Sequence, residues 1–243
     1  LEGIRWLAVG FGLYALVRLT LEARRRGTFP LGTVLRGWFG VPASGPRGLT
    51  AGFLLGAALV LVPAAIRITS GSTELISLPR DSRWLVLAVA SLLLKAAFVL
   101  FEETISRGAV ITVLDRHVPT SMAVLISAAV FSLSHSARPP GGFVVLGLDG
   151  LLFGALFVAS GRLWLPAAAH FGKNAAVWLI EGGGTLTFTA GLSDLVPVGA
   201  GLPGPDGPMV VELATTAGLT VAALVALKIG AAFRESESPR DSQ

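Results

Sequence analysis

Cysteine is absent from all 243 residues, and only 14% of them are charged. The first absence excludes disulfides, thiolate metal sites and a cysteine nucleophile. The second is a large shortfall, because soluble domains average about 25% charged residues. Strong net charge is missing too. Nineteen basic and fifteen acidic residues leave +4, dispersed along the chain. That is too little for a nucleic-acid footprint, so no nucleic-acid partner is expected. No internal repeat is evident, which argues against an inverted-repeat transporter. What is present is apolar: 53% of the residues are hydrophobic. The composition is that of a membrane protein.

A helix needs about 20 largely apolar residues to cross the hydrocarbon. Seven candidates can be read: Ile4 to Leu21, Leu49 to Ile68, Trp84 to about Leu114, Ser121 to about Ala137, Phe143 to Ser160, Leu163 to Ile180 and Met209 to Phe233. Turn chemistry separates them at Pro42 to Pro46, Arg138 to Gly142, Ser160-Gly161 and Gly182 to Gly184. The predicted fold is all-α, a polytopic bundle of about seven transmembrane helices in a single domain, 1–243. Thr185 to Pro208 reads as a non-cytoplasmic loop, and 235–243 as a disordered tail. The cluster Arg24-Arg25-Arg26 follows the first apolar run, the reverse of a cleavable signal peptide.

Basic residues mark the cytoplasmic side. One set of loops holds Arg24, Arg25, Arg26, Arg36, Arg47, Arg116, Arg162, Arg234 and Arg240. The other holds Arg5, Arg67, Arg80, Arg83 and Arg138. The imbalance predicts N-terminus out and C-terminus in. Abundant Ala, Gly and Arg suit a GC-rich bacterial genome, so the expected location is a bacterial cytoplasmic membrane.

Within the third span stands Phe101-Glu102-Glu103-Thr104-Ile105-Ser106-Arg107. An ionised carboxylate at this depth costs at least ~2.5 kcal/mol, so an intramembrane acid pair is a functional hypothesis by default. Glu103 and Arg107 are i and i+4 and can pair. Glu102 points about 100° away and is left for a cavity. The bland alternative is a structural salt bridge that fixes helix packing. Phe131-Ser-Leu-Ser-His135 puts a histidine late in the fourth helix. His170-Phe-Gly-Lys-Asn174 puts His170 and Asn174 on one face of the sixth. A lone histidine in an apolar helix more often serves packing, as interhelical polar glue. Depth argues for more. Counted inward from the cytoplasmic helix ends at about 1.5 Å per residue, Glu102, His135, His170 and Asn174 reach ~18, ~21, ~10 and ~16 Å, one common layer once helix tilt is allowed for.

The ordered trio Glu-Glu-x-x-x-Arg, Phe-x-x-x-His and His-x-x-x-Asn resembles that of the CAAX prenyl endopeptidase and bacteriocin-processing (CPBP, Abi-type) intramembrane proteases. Leu148 to Gly154 and Leu163-Trp-Leu-Pro166 are similar to the stretches that precede the last motif. The resemblance covers about Leu85 to Ile180, so the catalytic core is expected near 85–180. It implies a glutamate-dependent endopeptidase with no metal and no cofactor, whose substrate is a membrane-associated peptide or protein and whose other partner is membrane lipid. It implies that Glu102 activates water, that His135 orients that water or shuttles its proton, and that His170 and Asn174 stabilise the oxyanion. Glu103, Arg107 and Phe131 would support the site. Ser106 stands where the family often has an aromatic residue.

Other polar residues are ambiguous. Lys173 is unusual inside its motif; the favoured reading is a residue facing the cavity or packed against Asp149. Lys95, two turns before Glu102, can pair with an acid. Arg18 is expected near the interface, and Asp115 and His117 in solvent. A zinc site is the rival chemistry, but no His-Glu-x-x-His occurs, and Asn174 is a poor ligand. A serine protease wants Gly-x-Ser-x-Gly or its like, which is absent. Two functions of other classes stay open. A proton-coupled transporter would use Glu102, Asp149, Lys95 and Lys173 as a relay. A non-catalytic bacteriocin-immunity scaffold would tolerate loss of Glu102, His135 and His170.

Overall fold

The computed structural model describes residues 2–25, 37–39, 45–135, 140–181, 191–197 and 207–237. Seven long helices form among them: α1 (Glu2–Arg25), α2 (Gly45–Thr69), α3 (Trp84–Glu103 and its continuation), α4 (Thr120–Ser134), α5 (Pro140–Ser160), α6 (Trp164–Ile180) and α7 (Gly207–Glu237). The protein is helical and membrane-integral. Four described segments are long and apolar enough to cross a bilayer: Gly45–Thr69, Trp84–Leu114, Gly141–Ser160 and Val210–Lys228. The outward face of α3 carries Leu85, Val86, Val89 and Leu93, each at least half exposed. Such a row suits lipid contact.

The core mixes alanines with leucine, valine and aromatic side chains. On α5, Leu152, Phe153 and Leu156 pack against Leu59 of α2 and Ala169 of α6. A second cluster joins Ala15 and Leu19 of α1 to Ala109, Val110 and Ile111 and to Ala123 of α4. α2 and α6 cross closely. A Cβ on Gly56 would lie 1.6 Å from the Ala169 carbonyl oxygen, and one on Gly172 would lie 2.1 Å from that of Phe53. Glycine here is a steric requirement, of the kind that lets membrane helices approach. Gly56→Ala should force the two helices apart and cost about 1–3 kcal/mol. Its thermal unfolding midpoint in detergent should fall; an unchanged midpoint would disprove the crossing. Gly161, at φ 62°, makes the tight reversal from α5 to α6.

Four details depart from the sequence reading. The third span is not α-helical throughout. Thr104–Ile111 is π-helix, followed by a last α-turn, Thr112–Leu114. The Ser106 carbonyl accepts from the Ser127 hydroxyl of α4 at 2.6 Å. His135 lies just past α4, not within it. Its backbone is extended (φ −85°, ψ 127°). The region read as loop contains a strand, β2 (Ser193–Pro197), antiparallel to β1 (Thr73–Ser77). Each strand is five residues long, and their partners are over a hundred residues apart, so neither announces itself. Finally, α7 continues through Glu237, so 235–237 are helical rather than disordered; 238–243 lie outside the described residues, as do Gly182 to Gly184.

Candidate active site

Glu103 and Arg107 are both fully buried and paired across the first π turn. Arg107 Nη1 donates to Glu103 Oε1 at 2.9 Å. The same oxygen accepts from His170 Nδ1 at 2.8 Å. The Arg107 guanidinium stands 4.3 Å above the Phe131 ring and 5.3 Å from that of Phe153. Phe153 stacks on the His170 imidazole at 5.1 Å. The predicted supporting residues Glu103, Arg107 and Phe131 therefore form one packed unit beneath His170. Desolvated cation–π contacts and charge-assisted hydrogen bonds are the strong forms of each interaction.

Glu102 faces a different side, as its helical step of about 100° requires. Its side chain is 33% exposed, against 0% for Glu103. Oε2 lies 3.6 Å from His170 Nε2, and Oε1 lies 3.9 Å from His135 Nε2. Each imidazole is held from behind. His170 Nδ1 meets the Glu103 carboxylate, and His135 Nδ1 meets the Phe131 carbonyl at 2.7 Å. The Phe131 carbonyl can only accept, so His135 Nδ1 is the donor there; the Glu103 oxygen, which already accepts from Arg107, takes the same part toward His170 Nδ1. In the neutral rings both Nε2 atoms then offer lone pairs toward Glu102.

Glu102, His135, His170 and Asn174 line one cavity of about 260 Å³. Its wall also includes Lys95, Phe98, Asp149, Lys173, Glu181 and Glu212. On α6, residues 170, 174, 177 and 181 recur at helical spacing, so a single face runs from the histidine to the helix end. Asp149 and Lys173 form an ion pair; Lys173 thus does both things expected of it. Lys95 is buried in the same wall. Away from the cavity, Arg18 pairs with Glu22, which also meets Arg116. Asp115 and His117 are exposed.

Glu181 and Glu212 went unnoticed in the sequence. Glu181 sits just past α6, and Arg67 at the end of α2 donates to it at 3.2 Å. Burial pushes its carboxyl above the ordinary value, and Glu212 adds to this, while Arg67 opposes it. The only sequence signal was a lone acid in the apolar start of α7. Among the described residues, no group of three or more His, Cys, Asp or Glu side chains is arranged to hold a metal ion.

The fold and site together define an integral membrane helical protein with an acid–imidazole cavity between its helices. Residues 81–176, which contain all three motifs, match the family model of the type II CAAX prenyl endopeptidases, Rce1-like. The match supports the CPBP/CAAX protease family, whose members are peptide hydrolases. It covers less than half of the chain. No curated protein and no solved structure gives a significant match.

Proposed function

We propose that this chain is a glutamate-dependent intramembrane endopeptidase. The observation that carries the reading is the convergence of both Nε2 atoms on Glu102 inside a cavity that Asn174 also lines. A water in that cavity gives one proton to Glu102 and turns its other O–H to His135 Nε2. Its oxygen attacks the peptide carbonyl, and the C–O bond forms. The Asn174 amide donates to the oxyanion. His170 does the same as an imidazolium, whose Nε2 proton comes from solvent before the attack and stays on the ring throughout. The C–N bond then breaks, and the leaving amine takes the proton held by Glu102. Base, oxyanion donors and a returned proton are what peptide hydrolysis requires.

The test uses purified protein in liposomes and a library of quenched-fluorescent decapeptides. Wild type should cleave some members. Asn174→Ala should lower kcat on these by about 10²–10³, the usual cost of an oxyanion donor. Unchanged kcat would remove Asn174 from the mechanism. Activity should survive EDTA. Loss on chelation, restored by zinc, would favour the metal reading.

The same reading sets seven crossings in a bacterial cytoplasmic membrane, with the N-terminus out and the C-terminus in. The arginine imbalance of nine against five supports it. A fluorescent protein that folds only in the cytoplasm, fused to the C-terminus, should glow; a dark fusion with intact expression would reverse the orientation.

A further inference from the structure

Asp149 and Lys173 carry no role in the mechanism above, yet both stand in the cavity wall. Asp149 is 1% exposed, and the Lys173 side chain 12%. Their ion pair uses only Asp149 Oδ2. The other oxygen, Oδ1, is buried with no hydrogen-bond partner among the described residues. A buried acceptor left unpaired is costly, and one beside a reactive cavity calls for an incoming donor. The Lys173 ammonium has three N–H donors, and the ion pair needs one. The pair thus sets a spare acceptor beside spare donors. A peptide group offers the complement, one N–H and one C=O.

Its position fits the same partner. Phe153 stacks on His170. Asp149 comes four residues before Phe153 on α5, and Lys173 three after His170 on α6. The pair therefore lies one helical turn from the imidazole, about 5 Å along the axis. An extended peptide advances about 3.3 Å per residue. With its scissile carbonyl at His170 and Asn174, its next main-chain amide reaches this pair.

We propose that Asp149 and Lys173 form a main-chain subsite beside the scissile bond, which holds the substrate in extended form. The inference rests on the protease reading. A helical segment could not use the subsite, because its own amides are already paired. The substrate class is therefore a stretch of chain that is unwound, or unwinds, at the cleavage point. Asp149 and Lys173 are binding and positioning residues for the scissile bond.

The double variant Asp149→Leu/Lys173→Met tests this. It removes both charges at similar volume, so no unpaired charge stays buried. The probe is the decapeptide that wild type cleaves fastest, remade with an ester in place of the amide on either side of the scissile bond. An ester keeps the carbonyl and lacks the N–H. With wild type, one of the two esters should raise KM about tenfold, the scale of one hydrogen bond to a charged group. The double variant should show a comparably raised KM on the all-amide peptide, kcat within about twofold, and no further penalty from that ester. A thermal midpoint equal to wild type would confirm the fold. An ester penalty of equal size in both proteins, or a wild-type KM in the double variant, would overturn the subsite and leave a packing ion pair. Cleavage of the all-amide peptide by wild type reads the protease proposal separately.

Discussion

Glu102→Gln should abolish cleavage while the protein still folds. The amide keeps the size and polarity of the side chain but cannot take a proton from water. General-base catalysis typically contributes 10²–10⁴-fold, and a loss of about that size in kcat is expected. The fold should survive, because Glu102 is not part of the buried charge cluster. Its side chain is one-third exposed, and its distances of 3.6 and 3.9 Å to the imidazoles are too long for direct hydrogen bonds. The thermal midpoint should therefore match wild type, and KM should change little. Loss of activity with a lowered midpoint would instead indicate a structural carboxylate.

Arg107→Met should have the opposite profile. Arg107 is fully buried, pairs with an equally buried Glu103, and lies over Phe131. Removal of one partner from such a pair strands the other charge and costs about 3–5 kcal/mol. Glu103 would keep only His170, and its Oε2 already has no partner among the described residues. Thermal unfolding in detergent should show a large drop in midpoint, with activity lost through the fold. Arg107→Lys should lie between, since it keeps the charge but not the planar guanidinium that suits both contacts. A wild-type midpoint in Arg107→Met would mean that the pair contributes nothing to stability.

The contrasting surroundings of the adjacent glutamates, one buried against Arg107 and one left to the cavity, were legible in the sequence. Charged residues are expensive in lipid, so each one in an apolar run is conspicuous. The i, i+4 spacing paired Glu103 with Arg107 and left Glu102 to a different face. The helices were legible for the same reason, as long apolar runs between turn residues. Other features depend on contacts far apart in the chain. The π segment carries such a contact, from the Ser127 hydroxyl to the Ser106 carbonyl. The β1–β2 pairing joins Thr73–Ser77 to Ser193–Pro197, two short runs with no local mark. His135 was read inside α4 because helical spacing from Phe131 suggested it; the helix ends at Ser134, and the ring instead bonds back to the Phe131 carbonyl. Glu181 and Glu212 went unnoticed because little local marks them; they meet only where residues of α6 and α7 line one cavity.

The central claim is that the Glu102 carboxylate generates the attacking hydroxide. Mass spectrometry of membrane peptides from cells that express wild type or Glu102→Gln at equal levels tests it most directly. The account predicts a set of new peptide termini with wild type that vanishes with Glu102→Gln. The same termini at wild-type abundance in the variant would contradict it.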